Sequence, residues 1–441
     1  MRRWRLGPRG AVLAMAVLYA FAFMDRMVIS MVIGPIQEDL GFGDFQAGLL
    51  VGTAFAITYV LLGTPFGWAA DRYPRRYLVV FGLAVWTVGT LGSGFAMGFA
   101  TLFILRMLVG FGEAALSPVA YSLISDLFPH EKRGFALSAY QTGSSVGGGL
   151  AALAGGLIVD AAVQAGPATS IFGGPLYSWQ MVFLIVGAPG LLLIALAFAL
   201  PEPRKEGRPP PQLRSSEIRH YVKRNFVLLA LLFVTYGMVA MVGHGVTFWT
   251  PEFMVRKFGW SRTEIGSLIG PIYMIVPVIS YLTTGWLMDR VFRSGVKDAP
   301  LRVFLVMSVA TLPFSVYGFL TDNVWIFIFC LTAVKMLFVP TVIFGATAIQ
   351  SFTPEALRGR VSGAFLSFLS LVGYTLGPGL VGWLSQFQFG GTNDLGLPIA
   401  WMNAACVSLV SLLLLLSLAP LRRAVVEEER RLSGLAPVRS E

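Results

Sequence analysis

Six ionisable side chains stand inside stretches that otherwise read as hydrocarbon: Asp25 and Arg26 in "FAFMDRMVIS", Arg106 and Glu113 in "RMLVGFGEAA", then His244 and Lys335. A charge at the centre of a bilayer costs about 2.5–3.5 kcal/mol on insertion scales, so such groups persist only facing one another or water. A carboxyl group held there can carry a proton. Burial raises its pKa and a neighbouring guanidinium lowers it, so any change in burial shifts the balance. One charge moved across 100 mV is worth about 2.3 kcal/mol, enough to sustain a roughly fiftyfold gradient. A guanidinium offers a planar fork that binds carboxylate or phosphate bidentately. Asp25 and Glu113 are therefore candidate proton carriers, and Arg26, Arg106, His244 and Lys335 are candidate contacts for an anionic ligand.

A purely structural use of the same residues stands beside this one. Arg106 and Glu113 are seven residues apart, nearly two helical turns, which places them on one face about 10 Å apart. They are too far apart to pair with each other, but both can face Asp25 and Arg26. Pairing Asp25 with Arg106 and Arg26 with Glu113 would lock the two segments together. A lone helical histidine such as His244 is more often hydrogen-bonded structure than a ligand. Lys335 has no acid within its own apolar run to neutralise it. Without His244 the set holds three cations against two acids, a net +1 that suits an anionic head group.

The elements that must position these residues are membrane helices. The chain of 441 residues is 56% hydrophobic and 13% charged, with a mean hydropathy of +0.72, far above that of a water-soluble globule. Apolar runs of spanning length recur twelve times, at 11–36, 46–70, 76–97, 100–124, 134–160, 179–200, 226–251, 264–288, 302–321, 324–350, 358–385 and 397–420. Arg2, Arg3 and Arg5 before the first run resemble the start of a signal peptide. Asp25 and Arg26 interrupt that run and no small-residue cleavage site ends it, so an uncleaved first helix is expected. In this reading 27 of the 33 Lys and Arg fall in the tails and loops of one side, against Arg256, Lys257 and Arg262 on the other. The positive-inside rule then puts both termini and the 201–225 linker in the cytoplasm. The formal charge of +10 is a topology signal and implies no nucleic-acid partner. Cys330 and Cys406 lie within expected helices and suggest neither a disulfide framework nor a zinc site.

The composition breaks once, at the Pro-rich basic stretch "PEPRKEGRPPPQLRSSEIRHYVKRN". It divides an N-terminal six-helix bundle, 1–200, from a C-terminal one, 226–420, with 201–225 as linker and 421–441 as a cytoplasmic tail. An internal repeat supports the division. "GWAADRYPRR" (67–76) closes helix 2 and "GWLMDRVFRSG" (285–295) closes helix 8, 218 residues later. "PHEKRGFALSAY" (129–140) is echoed by "PEALRGRVSGAF" (354–365). The fold class expected is all-α, with twelve transmembrane helices in two pseudo-symmetric bundles.

Six plus six helices, a basic central linker and G-x-x-x-D-R-x-x-R-R after helix 2 resemble the major facilitator superfamily over essentially the whole chain. "FMDR", "GWAADRYPRRY", "RMLVGFGEAALSPVAYSLISDLF" (106–128) and "FWTPEF" (248–253) are similar to the spinster family, whose animal members export lysolipids such as sphingosine-1-phosphate. The resemblance implies that helices 1, 4, 7 and 10, which carry all six buried ionisable residues, line a central cavity, and that Asp25 and Glu113 are the protonation candidates. R-x-x-x-G at Arg106 and Gly110 is widespread in the superfamily and linked to proton coupling. His244 and Lys335 do not belong to the spinster pattern. Helix 5, "GSSVGGGLAALAGG" (143–156), has small residues for tight packing but lacks the Gly-Pro pair of the superfamily's antiporters. Helix 11 has one at Gly377–Pro378, so export antiport and uptake symport both stay open.

The segment after helix 2 is the expected cytoplasmic gate. Gly67 would let helix 2 approach a neighbour. Asp71 would cap the start of helix 11 near Arg358 and Gly359, where the helix dipole favours a negative charge. Arg72, Arg75 and Arg76 would bridge to acids such as Asp126 or Glu131, with Asp289 and Arg290 as the second-half counterparts. Simple topology anchoring explains Arg76 but not the repeat.

"GFGEAA" (110–115) completes a G-x-G-x-x-A, but it lies within a helix with no strand before it, which excludes a dinucleotide fingerprint. No phosphate-binding G-x-x-x-x-G-K-[ST] and no H-E-x-x-H occurs, so neither ATP drive, a metal nor another cofactor is expected. These readings converge on a monomeric, proton-coupled secondary transporter of a bacterial inner membrane, moving an amphiphilic, lysolipid-like anion by alternating access among membrane lipids, and not an enzyme. A porter for small organic anions or drugs would use the same charges. A lipid sensor or membrane enzyme on the same scaffold would show no flux and no need for Asp71.

Overall fold

The structure is a computed structural model that describes residues 6–165, 168–169, 175–203, 215–391 and 394–432. Among the described residues twelve helices are long and apolar enough to cross a membrane: Pro8–Leu40 (α1), Asp44–Arg72 (α2), Arg75–Ser93 (α3), Phe99–Leu127 (α4), Lys132–Gln164 (α5), Ser178–Phe198 (α6), Phe226–Phe258 (α7), Arg262–Met288 (α8), Ala299–Leu320 (α9), Val324–Phe352 (α10), Leu357–Gln388 (α11) and Gly396–Arg431 (α12). The chain is a multi-pass membrane protein. Each apolar run becomes a helix because hydrocarbon offers no partner for a backbone N–H or C=O, and a helix satisfies both within the segment. α1 and α7 run past their apolar stretches to take in Gln37 and Asp39, and Arg256 and Lys257.

Both of those helices stop at a glycine in the left-handed region. Gly41 and Gly259 each have φ of 67°, and their N–H groups bond back to the carbonyls of Gln37 and Val255. The two turns are 218 residues apart, the spacing of the GW-x-x-D-R repeat, so the duplication extends to the helix ends.

α4 and α10 are each interrupted once, at Ala114–Ala115 and at Val339–Pro340. Pro118 and Pro340 cannot donate to the carbonyl four residues back, and their rings crowd it. In α10 the freed carbonyl of Met336 accepts instead from Ser280 Oγ of α8, at 2.5 Å. Glu113 thus directly precedes one break, and Lys335 lies one turn before the other.

Two compact units emerge, 1–206 with 247–275 and 374–395, and 207–246 with 276–373 and 396–441. In the first, α1 packs on α5 through the expected small residues: a Cβ at Gly143 or Gly147 would collide with the carbonyls of Ala16 and Ala20. Met15, Leu18, Phe55, Leu83, Trp86, Val109 and Tyr140 fill the core around them. A two-residue ladder pairs Ala168 with Leu176 and Thr169 with Pro175. In the second unit, linker residues Ser215–Arg224 form a helix, while 204–214 lie outside the described residues. The expected tail is also helical to Leu432, because Glu427 meets Arg224 and Glu429 meets Lys297 at 2.5 and 2.7 Å.

Candidate functional site

Asp25 and Arg26 are neighbours on α1, so they point about 100° apart around its axis. α4 meets them with Arg106 and Glu113, two turns apart. Arg106 Nη1 donates to Asp25 Oδ2 at 3.2 Å and its Nη2 reaches the Asp25 carbonyl at 3.4 Å. Arg26 Nη2 donates to Glu113 Oε2 at 2.5 Å. Thr90 of α3 supplies the second carboxylate contact, Oγ1 to Asp25 Oδ1 at 2.9 Å. Asp25, Arg26, Arg106 and Glu113 are 1%, 3%, 1% and 2% exposed, so two opposed ion pairs are buried side by side with no net charge. Both guanidinium groups already hold a carboxylate, and an anionic ligand would have to displace it.

Arg26 is enclosed further. Its Cζ lies 4.2 Å from the Phe55 ring centre, 4.7 Å from Phe23, 4.8 Å from Tyr59 and 5.3 Å from Tyr374. Its Nη1 donates to the Tyr374 hydroxyl of α11 at 2.9 Å. Gly110 makes this enclosure possible, since a Cβ there would strike the carbonyl oxygen of Phe55 and the Thr58 hydroxyl, and α2 would be pushed away from α4. Arg26 Nε, Arg106 Nε and Glu113 Oε1 are buried without a hydrogen-bond partner. Neither pair is a two-point pairing of guanidinium and carboxylate, and each keeps unused bonding capacity.

His244 and Lys335 lie in the second unit, half-buried. The His244 ring binds its own helix, with Nδ1 2.8 Å from the Ala240 carbonyl.

In the segment after α2, Arg75 bridges to Asp126 at 2.6 Å, as expected. Arg72 instead stacks over Trp68, its Cζ 4.1 Å from the ring, and Arg290 lies 5.7 Å over Trp286 in the second copy of the motif. The Trp and Arg of GW-x-x-D-R are one turn apart, so the repeat preserves a cation–π pair. Among the described residues the Arg76 guanidinium donates to no acid; its backbone N–H donates to Glu202 and its Nη1 to the Phe198 carbonyl. Asp71 is exposed, and the side chains of Asp289 and Glu131 lie outside the described residues. Gly67 is not a close approach: a Cβ there would meet only Pro118, at 4.0 Å. The crowded glycines of α2 are Gly48 and Gly52, against the Pro378 and Tyr374 carbonyls of α11.

A second charged cluster was not foreseen. At the α1–α2 turn, Arg256 binds Asp44 through both nitrogens (2.9 and 3.1 Å), Gln37 at 2.9 Å and Glu252 at 2.8 Å. Arg262 holds the other Glu252 oxygen at 2.6 Å, and Ser385 holds Asp44 at 2.6 Å. These residues sit at the ends of apolar runs and read as loop charges. The signal that finds them is the repeat, whose 218-residue offset sets Asp44 on Arg262, opposite charges at equivalent helix starts. Among the described residues no group of His, Cys, Asp and Glu is arranged to hold a metal.

The Major Facilitator Superfamily model matches residues 15–378. Human protein spinster homolog 1 is 32% identical over 276 residues, which is 59% of this chain and 48% of that protein, so the match spans about half the length of this curated relative. An MFS-type efflux pump of Mycolicibacterium smegmatis is 25% identical over 97% of both chains. Among solved structures, a bacterial homolog of the human lysosomal transporter spinster, in an inward-facing and unoccupied conformation, superposes with a TM-score of 0.77 at 23% identity, covering 97% of this chain and 99% of that one.

Proposed function

This chain belongs to the Major Facilitator Superfamily of transporters, and on that premise we propose that it carries an amphiphilic, lysolipid-like anion across the membrane by alternating access coupled to protons. The observation that carries the reading is the pair of buried carboxylates on α1 and α4, each set against one guanidinium. A lock needs only one such pair. Two, one of which leaves a carboxylate oxygen without a partner, give a site where proton and anion can exchange for the same arginine. Asp25 and Glu113 take the proton. Arg26, Arg106, His244 and Lys335 set the electrostatics for the anionic head group.

The similarity to spinster proteins supports a lipid cargo. The likeness to an efflux pump along nearly the whole chain supports a second reading, a porter for small organic anions or drugs. In both, the termini face the cytoplasm of a bacterial cell, a reading the excess of Lys and Arg on one side supports, and Asp71 with Arg72, Arg75, Arg76, Asp289 and Arg290 gates that side.

The test uses the purified protein in proteoliposomes with an internal pH dye and an imposed potential. Lysolipids, then small organic anions, are added. Proton movement triggered by lysolipids and lost in Glu113→Gln is the expected result. A response to small anions alone selects the second reading, and driven flux unchanged in Glu113→Gln removes that residue from the proton path.

A further inference from the structure

Tyr374 is the one group from α11 that hydrogen-bonds the buried ion pairs among the described residues. Its hydroxyl accepts from Arg26 Nη1 at 2.9 Å while the other end of the same fork donates to Glu113. The ring is fixed independently of that bond, 5.7 Å from Phe55 and 6.0 Å from Phe248. Its backbone is fixed as well: the Tyr374 carbonyl fills the notch at Gly52, and Thr53 Oγ1 bonds the next carbonyl, of Thr375, at 3.3 Å. The hydroxyl is therefore presented to Arg26 by a rigid support.

Resting on the proton-coupling reading above, we propose that Tyr374 is a positioning residue for it: the hydroxyl holds the Arg26 guanidinium in place when Glu113 is neutral, and so ties α11 to the protonation of Glu113. With Glu113 ionised, Arg26 has two hydrogen-bond partners. With Glu113 protonated its charge partner is gone, and Asp25 does not replace it because Arg106 and Thr90 hold that carboxylate. What remains to Arg26 is an uncharged carboxyl oxygen of Glu113, the Tyr374 hydroxyl and the aromatic faces of Phe23, Phe55 and Tyr59. The charged and titratable groups facing the Arg26–Glu113 pair are Asp25 and Tyr19 from α1, Tyr59 from α2, Arg106 from α4 itself, Tyr140 from α5 and Tyr374 from α11. The α3 side lines the space beside Glu113 with Val79, Leu83 and Trp86. A neutral carboxyl oxygen holds a guanidinium more weakly than a carboxylate does, so the hydroxyl carries a larger share of the hold on Arg26 when Glu113 is protonated, and removing it disfavours the protonated state.

The experiment needs no substrate. The full chain in lipid nanodiscs is titrated while the infrared carbonyl band of protonated Glu113 is followed, the band being identified by its loss in Glu113→Gln. Tyr374→Phe keeps the ring and its packing. Its midpoint is expected about one pH unit below that of the wild type, a tenfold change in proton affinity. Thr90→Val, which removes a hydroxyl from Asp25 and not from Arg26, is expected to move the midpoint by much less. An unchanged midpoint in Tyr374→Phe, or an equal displacement in both variants, overturns the role of Tyr374. If the wild type shows no titrating band that Glu113→Gln removes, the proton-coupling reading itself falls and takes this inference with it.

Discussion

Arg256 grips Asp44 with both arms of its guanidinium, Nη2 to Oδ1 at 2.9 Å and Nη1 to Oδ2 at 3.1 Å, and so joins the end of α7 to the start of α2. Planar two-point pairing of this kind is among the stronger charge-assisted contacts. Its value lies in what is left behind when one side is removed, because the partner carboxylate is only 8% exposed. Arg256→Ala strands Asp44 and half of Glu252. The loss is expected at about 3 kcal/mol, the lower end for breaking a buried pair, since Arg256 keeps some contact with solvent. The exchange Asp44→Arg with Arg256→Asp recovers part of it. Thermal unfolding in detergent of the wild type, Arg256→Ala, the two single exchange variants and the double one checks this, and a double variant no better than the worse of its two single ones refutes the pairing.

The Asp25–Arg106 pair predicts an order of severity. Thr90→Val removes one hydrogen bond to a carboxylate and costs about 1.5–3 kcal/mol. Arg106→Gln removes the cation and leaves Asp25 charged and buried, at about 3–5 kcal/mol. Adding Asp25→Asn to Arg106→Gln restores stability, because the stranded charge is gone. The melting temperatures of the three variants test the order.

Two glycines respond in opposite ways to alanine. Gly110→Ala drives a methyl into the Phe55 carbonyl, and separating α2 from α4 costs about 1–3 kcal/mol. Gly67→Ala meets only Pro118, so the better helix propensity of alanine, up to about 1 kcal/mol, prevails. Folded yield and melting temperature of each variant decide between this and a packing role for the motif glycine.

Ser280 and Pro340 are coupled through the carbonyl of Met336, which Pro340 frees and Ser280 satisfies. Ser280→Ala leaves that part-buried carbonyl unpaired, at about 1 kcal/mol. In a Pro340→Ala background residue 340 has its own N–H to donate, and Ser280→Ala then costs little. A double-mutant cycle on unfolding measures the coupling, and simple additivity contradicts it.

The sequence by itself determined the twelve spans to within a few residues at most ends, because apolar length and the obligation to satisfy backbone hydrogen bonds in hydrocarbon leave no other structure. It also isolated the buried ionisable residues, since a charge in such a segment is conspicuous against its neighbours. Its structural alternative for them, Asp25 with Arg106 and Arg26 with Glu113, is the pairing found. Only tertiary structure decided what surrounds these pairs. Tyr374 is one of 13 tyrosines, and nothing local distinguishes a ring that packs from one whose hydroxyl reaches an arginine 348 positions away. The cluster of Asp44, Glu252, Arg256 and Arg262 stayed hidden because charges near helix ends are ordinarily solvated. Which of them meet depends on how α1, α2, α7, α8 and α11 converge at one end, and that is a property of packing over distances the local sequence does not encode.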